Sequence, residues 1–267
     1  MTRPRILVLS GYGINCEQET QFAFEQAEGR AEIVHINDLP GKNILDYQIL
    51  ALPGGFSFGD DTGSGKAFAH RLRATLQDKL QEFVTRDRLI IGICNGFQIL
   101  TQLGLVPALD GNYDQPTVAL THNTQARYHT RWVDLAINPL NPSPWLQLLG
   151  TISLPIAHGE GKFYAPREVL ERLWTEELVA ANYTEGELCK ALDLPANPNG
   201  SLDNIAAITS TNGRVLGMMP HPERAIHITQ HPLWTQDKEI YRRNKKYFQP
   251  TEGEGLQLFR NGVRHFT

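Results

Sequence analysis

The chain has few cysteines, no long apolar run and no excess of basic residues. Its 267 residues include three cysteines, Cys16, Cys94 and Cys189. An odd, sparse set argues against a disulfide framework and favours a reducing compartment. The apolar stretch nearest the N-terminus, Ile6 to Leu9, is too short for a signal peptide or a membrane span. Because the formal net charge is −4, nothing draws the chain generally to nucleic acid or anionic lipid. We therefore expect a cytoplasmic protein without nucleic-acid or membrane partners.

The first 104 residues alternate short apolar runs with stretches of helical spacing. Hydrophobic residues make up 41% of the chain and charged residues 20%, which is ordinary for a globular protein. The predicted strands cover 6–9, 32–36, 48–52 and 89–93, and the predicted helices cover 17–27, 67–86 and 96–103. This alternation predicts an α/β fold with a doubly wound, mostly parallel sheet flanked by helices. In such a sheet the site lies beyond the C-terminal ends of the strands.

After Gly104 the alternation of predicted strands and helices ends. The strands predicted there follow one another directly and are joined by loops that contain proline. Additional strands are predicted at 131–137, 152–157, 205–209 and 215–219, and closing helices at 233–248 and 255–266. We expect these strands to extend the first sheet or to pack beside it. Residues 1–267 would then form a single domain.

A cysteine between two glycines follows the fourth predicted strand, in the order Gly92-Ile93-Cys94-Asn95-Gly96. Glycine permits a sharp turn from strand to helix, which is the form of a nucleophile elbow. The positive end of the following helix favours the reactive thiolate. A cysteine at the end of an apolar strand is by itself more often a small buried hydrophobe. The flanking glycines therefore carry the prediction of a nucleophile, although the motif also occurs on other folds.

A histidine and a carboxylate two positions apart occur in Pro220-His221-Pro222-Glu223. In an extended segment, residues i and i+2 point to the same side. Glu223 can then hold one ring nitrogen while the other faces the thiol. Alone, the pair could be a rigid surface turn. Together with Cys94 it provides the parts of an acyl-transfer triad.

Two glycines after the third predicted strand form the third part of this site. If Pro53-Gly54-Gly55 has only a structural role, it is a turn after the strand. The functional interpretation is an oxyanion hole, in which the backbone N–H groups of Gly55 and Asn95 hold the developing negative charge. The elbow favours the second interpretation.

Three other features were considered as binding sites, and none of them yields a functional assignment. The segment 10–16 lacks the glycine spacing and the lysine of a phosphate loop, which argues against nucleotide binding there. No cysteine or histidine pair has metal-ligand spacing, so we expect no metal. His158, in Ala157-His158-Gly159-Glu160-Gly161, is either a substrate-side residue or a structural contact, and the residues alone do not decide.

With these motifs, the chain resembles the class I glutamine amidotransferases. Within that family it is similar to the glutaminase subunits of phosphoribosylformylglycinamidine synthase, from purine biosynthesis. The resemblance runs through most of the chain and is carried, in order, by 13–17, 53–60, 92–98, 157–161, 197–201 and 218–224.

The resemblance implies a flavodoxin-like fold and six site residues. These are the nucleophile, its base, the carboxylate of the triad, two residues of the oxyanion hole and one residue that helps to hold L-glutamine. In that order they are Cys94, His221, Glu223, Gly55, Asn95 and Gln98.

The resemblance also implies the reaction and its partners. L-Glutamine would be hydrolysed through a cysteinyl thioester, and the ammonia would pass to a separate synthetase subunit. That subunit would use ATP and magnesium to convert formylglycinamide ribonucleotide to formylglycinamidine ribonucleotide, and a small bridging subunit is expected beside it. No cofactor is expected in this chain. Segments 61–66 and 231–250 differ from the family pattern, and both are expected at the partner interface.

Three alternatives stay open. The chain could be another cysteine acyl hydrolase on a similar sheet, a non-catalytic regulatory subunit, or an amidotransferase for a different ammonia acceptor. The presence of both Cys94 and His221 counts against a regulatory subunit. The residues around His221 match the purine enzymes and count against another acceptor.

Overall fold

Residues 3–61, 63–244 and 252–267 are described by the computed structural model. Within these ranges the chain forms eleven strands and seven α-helices. The strands are β1 Arg5–Ser10, β2 Arg30–His35, β3 Ile49–Leu52, β4 Leu89–Ile93, β5 Ala119–Thr121, β6 His129–Ile137, β7 Thr151–His158, β8 Lys162–Tyr164, β9 Val179–Thr184, β10 Ile205–Thr209 and β11 Val215–Met218. The helices are α1 Glu17–Gln26, α2 Lys66–Thr85, α3 Asn95–Leu103, α4 Arg167–Thr175, α5 Glu187–Ala191, α6 Trp234–Arg243 and α7 Leu256–Arg264.

Nine of these strands make one mixed sheet in the order β2-β1-β3-β4-β11-β10-β9-β6-β7. The five strands from β2 to β11 run parallel to one another. Every residue of β3 and β4 is buried, as expected for strands covered on both faces. Helices α2 and α3 pack together, and α1 packs with α7. The predicted α/β sheet with flanking helices is confirmed.

The remaining strands, β10, β9, β6 and β7, continue the same sheet in antiparallel pairs. Along β7, buried residues alternate with exposed or half-buried ones, because one face of this edge strand packs on the core while the other faces outward. The two short strands β5 and β8 pair separately. The prediction that the later strands extend the first sheet is confirmed.

The positions of the predicted elements agree with the structure, with shifts of a few residues at their ends. Sequence reasoning missed α4, α5, β5, β8 and β9. Only Leu173 is buried in α4, and β9 reads Val-Ala-Ala-Asn-Tyr-Thr, which lacks a clear strand pattern. The predicted helix 233–248 is observed as α6, and its last residues, 245–248, lie outside the described part of the chain.

No helix in the described ranges is both long and apolar enough to cross a membrane.

Candidate active site

The site forms where two neighbouring parallel strands end. In the sheet β4 lies beside β11, with Ile93 opposite Met218. Because parallel strands share one C-terminal edge, the residues that follow them meet there. The backbone N–H of Cys94 donates to the carbonyl of Met218 at 2.8 Å. A single strand pairing therefore brings together Cys94 and His221, which are 127 positions apart in the sequence.

Cys94 stands at a strained turn immediately before α3. Its φ of 52° and ψ of −108° are rare for a residue with a side chain. A β-carbon at Gly96 would lie 1.8 Å from the carbonyl oxygen of Leu52, and one at Gly92 would lie 2.6 Å from the carbonyl oxygen of Gly96. Both glycines are thus needed for the turn. This geometry matches the predicted elbow and holds the sulfur at the N-terminus of a helix.

His221 and Glu223 form a buried pair. The Nδ1 atom of His221 lies 2.6 Å from Oε1 of Glu223, and both residues are almost fully buried. Burial opposes a charged imidazole, but the carboxylate of Glu223 and the sulfur of Cys94 outweigh it and raise the pKa of His221 well above its usual value. The carboxylate orients Nδ1–H toward itself, which leaves Nε2 for proton transfer.

The side chains of Cys94 and His221 lie close together but form no hydrogen bond with each other. Among the described residues, Nε2 of His221 is buried and has no hydrogen-bond partner. The sulfur of Cys94 instead lies 3.7 Å from the carbonyl oxygen of Ala157. Catalytic hydrogen bonds are often open before substrate binds, and rotation about χ1 of Cys94 redirects its sulfur.

Gly54 is the point on which these groups converge. A β-carbon there would lie 2.8 Å from Cε1 of His221, 3.2 Å from the sulfur of Cys16 and 3.4 Å from Cβ of Cys94. Any side chain at this position would push the His221 and Cys94 side chains apart. Gly54 was not among the residues predicted from the sequence, although it belongs to the predicted glycine pair.

The peptide between Gly54 and Gly55 has a defined orientation. The carbonyl of Gly54 accepts hydrogen bonds from the backbone N–H groups of Asn15 and Cys16, each at 3.2 Å. In a trans peptide the N–H points opposite to the carbonyl, so the N–H of Gly55 is directed away from the 13–16 segment. A β-carbon at Gly55 would lie 2.4 Å from the carbonyl oxygen of Gly13. This arrangement supports an oxyanion hole, and the roles of Gly55 and Asn95 in it stay predictions.

A buried amide network connects α3 to the loops around the site. The side chain of Asn95 accepts from the N–H of Ser57 at 3.2 Å. It donates to Asp60 at 3.2 Å and to Gln98 at 2.8 Å. Gln98 in turn donates to the carbonyl of Glu160 at 2.5 Å. Both polar ends of the Gln98 side chain are therefore bonded within the protein, and its predicted contact with glutamine stays a prediction.

Comparison with known proteins places this geometry in a family. A family model described as a CobB/CobQ-like glutamine amidotransferase domain matches residues 3–266. The chain belongs to this glutamine amidotransferase family. The resemblance predicted from the sequence motifs is thereby confirmed.

The chain is also similar over nearly its whole length to individual members of one subgroup. The phosphoribosylformylglycinamidine synthase subunit PurQ of Methanococcus maripaludis is 42% identical over 266 residues, 98% of each chain. The subunit of the same name from Dehalococcoides mccartyi is 39% identical and covers 99% of this chain and 98% of its own. A solved structure of PurLQS from Thermotoga maritima superposes with a TM-score of 0.71 at 26% identity and full coverage of both chains.

Two residues of this amidotransferase site were missed by reasoning from residue types. Nη2 of Arg224 donates to the sulfur of Cys16 at 2.9 Å. The sulfur of Cys16, a ring nitrogen of His221 and a carboxylate oxygen of Glu223 all lie within 4.8 Å of one another. Such a donor set could suit a thiophilic metal, but a guanidinium already contacts the sulfur and disfavours a second cation there. The motif block 13–17 held the only signal for Cys16.

His158 has a structural contact on one side of its ring. Nδ1 lies 3.1 Å from Oδ1 of Asn123, which also accepts from the N–H of Gly161 at 3.1 Å. Burial, together with the nearby His221, lowers the pKa of His158 to about 3. The ring is therefore neutral. Its buried Nε2 has no partner among the described residues, so a role toward substrate stays open at that atom.

The two segments that differ from the amidotransferase pattern have different positions. In the first, a β-carbon at Gly65 would lie 2.7 Å from the N atom of Ile99 in α3, so part of the 61–66 segment packs behind the elbow. In the second, α6 has no fully buried residue, and 245–250 lie outside the described ranges. Their expected place at a partner interface stays a prediction.

Proposed function

We propose that this chain is the glutaminase subunit of a phosphoribosylformylglycinamidine synthase. The observation that carries the proposal is the meeting of Cys94, the His221–Glu223 pair and the Gly54–Gly55 peptide at one sheet edge. The names of the full-length relatives support the substrate and pathway. A cytoplasmic location is part of the same proposal.

The reaction follows from the positions of these groups. The thiolate of Cys94 attacks the side-chain amide carbon of L-glutamine, and the N–H groups of Gly55 and Asn95 hold the oxyanion. Loss of one such donor costs about 3 to 4 kcal/mol of transition-state stabilisation. The imidazolium of His221 donates its proton to the amide nitrogen of the tetrahedral intermediate, and as the C–N bond breaks this nitrogen leaves as ammonia. The same ring then activates a water molecule, which hydrolyses the thioester to glutamate.

The ammonia needs a protected acceptor. In neutral water ammonia is mostly protonated, and the ammonium ion is not a nucleophile. We propose direct transfer to a synthetase subunit that uses ATP and magnesium to convert formylglycinamide ribonucleotide to formylglycinamidine ribonucleotide, with a small bridging subunit in the complex. The likeness to the PurLQS structure of Thermotoga maritima supports such an assembly. The steps assigned to this chain require no cofactor.

The proposal is tested with Cys94→Ala in the complex with the synthetase. We expect glutamine-dependent synthesis to fall by at least about 10³-fold, because the nucleophile is absent. Ammonia-dependent synthesis should persist, because that step does not use Cys94.

Cys189→Ala is the matched control, since Cys189 is also buried and its backbone N–H on α5 donates to Asp134 of β6. It should retain both activities. Loss of both activities in Cys94→Ala would contradict the scheme. Cleavage of peptides by the wild-type chain, with no labelling of Cys94 by a glutamine-analogue electrophile, would favour the hydrolase alternative.

A further inference from the structure

Arg224 lies beside the triad carboxylate without closing on it. Its Nε atom is 4.0 Å from Oε1 of Glu223, while Oε2 of the same carboxylate is buried and has no partner among the described residues. An arginine next to a carboxylate ordinarily forms two parallel hydrogen bonds with it. Here the guanidinium donates to the sulfur of Cys16 instead, at 2.9 Å.

Cys16 is held firmly enough to position that guanidinium. It is 1% exposed and precedes α1, where its carbonyl accepts from the hydroxyl of Thr20 at 2.7 Å. Its backbone N–H bonds Gly54, and its thiol lies 3.2 Å from Oδ1 of Asn15. Burial raises the pKa of the Cys16 thiol, so the sulfur accepts from Arg224 as a neutral group and leaves its positive charge in place.

We propose that Cys16 is a positioning residue of the glutaminase site. By accepting a hydrogen bond from Arg224, its sulfur prevents the guanidinium from forming a bidentate ion pair with the Glu223 carboxylate. Among the described residues, the carboxylate therefore accepts a hydrogen bond from His221 alone. The inference deepens the proposed function and rests on it for the role of His221 as the catalytic base.

The expected consequence concerns the charge on the imidazole. If Arg224 closed on Glu223, the carboxylate would stabilise the imidazolium less, and His221 would lose its proton at lower pH. The ionisable groups that face His221 come from its own turn, from the start of α1, from the elbow, from β7 and from the segment before β6. They are Glu223, Arg224, Cys16, Cys94, His158 and Tyr128.

The test compares three variants in the assembled complex: Cys16→Ala, Cys16→Ser and Cys16→Ala combined with Arg224→Met. The pH dependence of glutamine kcat/KM is measured for each. We expect the alkaline limb of Cys16→Ala to move to lower pH, and activity on that limb to fall about tenfold for every pH unit that the limb moves. Serine retains an acceptor and should restore most of the profile. The double variant carries the same cavity but lacks the guanidinium, and it should also regain the alkaline limb.

A second measurement does not depend on glutamine. The rate at which iodoacetamide alkylates Cys94, read by mass spectrometry of its peptide, reports the thiolate that the imidazolium stabilises. In Cys16→Ala the half-maximal rate should require a higher pH than in the wild type, and in the double variant it should return.

Two results would overturn the inference. One is a Cys16→Ala profile equal to the wild type. The other is an equal shift in Cys16→Ala and in the double variant, which would show that the sulfur acts through packing or through its own interaction with His221, and not through Arg224. If the alkylation shifts occur as expected but the wild-type complex does not use glutamine, the proposed function is refuted while the positioning of Arg224 by Cys16 stands.

Discussion

The two halves of the nine-stranded sheet are built differently and contribute differently to the site. The parallel half, from β2 to β11, is buried on both faces in its centre and provides the elbow and the glycine loop. The antiparallel half ends in β7, which has one buried face. It contributes backbone contacts: the carbonyl of Pro155 accepts from the N–H of His221 at 2.8 Å, and that of Ala157 contacts Cys94. The position of Cys94 is thus fixed by buried central strands, while that of His221, which follows β11, also depends on a contact with the edge strand β7.

The largest expected difference between the halves is in stability. Ile91 lies in β4 and Ile152 in β7, and both are buried. We expect Ile91→Ala to cost about 4 kcal/mol and Ile152→Ala about 2 kcal/mol, since a cavity relaxes more readily at an edge. Urea-induced unfolding of the two variants measures this. Equal losses would show that the antiparallel half is packed as tightly as the centre.

The next effect concerns the glycine loop of the parallel half. Gly54→Ala places a β-carbon 2.8 Å from His221, so we expect glutamine kcat/KM to fall about 100-fold, or about 3 kcal/mol. Gly41→Ala is the matched control, because a β-carbon at Gly41 meets no atom within 4 Å. An unchanged kcat/KM in Gly54→Ala would show that the space between Gly54 and the side chains of His221 and Cys94 does not matter for activity.

A smaller effect is expected when the charge beside the base is removed. Glu223→Gln preserves the size of the side chain but removes the carboxylate that raises the pKa of His221. The imidazolium should then deprotonate at lower pH, which moves the alkaline limb of the activity profile downward and costs about 2 kcal/mol, or roughly 30-fold, in kcat/KM. Glu25→Gln, at an exposed position of α1, serves as control. If the pH dependence of kcat/KM were unchanged in Glu223→Gln, Glu223 would contribute to the site through packing and not through its charge.

The smallest effect concerns His158 in the antiparallel half. Its pKa is lowered from 6.5 to about 3, so the unfolded chain binds this proton below pH 6.5 while the native state does not until about pH 3. Native stability should therefore fall as pH decreases through this window, by at most about 1.4 kcal/mol per pH unit from this group. His158→Gln should flatten the dependence, measured by unfolding between pH 6.5 and 5.5, where this group contributes about 1 kcal/mol. An unchanged slope would contradict the assignment.

The elbow and the strands around it were predictable because their signals are local. Gly92, Cys94 and Gly96 act on one another within a single turn, and the apolar runs of β3 and β4 are continuous in sequence. Helix α4 was missed because only one of its residues is buried. Its two i,i+4 ion pairs, Arg167–Glu171 and Arg172–Glu176, favour the helix locally without giving an apolar run. The contact between Cys16 and Arg224 spans 208 positions, and no spacing rule links them.

Residue order alone determined the class of fold and marked Cys94, His221 and Glu223 as candidate site residues, because short-range geometry and apolar patterning act within a few residues of chain. The tertiary structure decided which groups share space with them: Gly54 beneath the imidazole and Arg224 turned toward a sulfur. Those contacts arise when β11 aligns with β4 and the 13–16 segment folds onto the glycine loop. Pairing over such distances depends on the whole sheet, so only the folded chain specifies it.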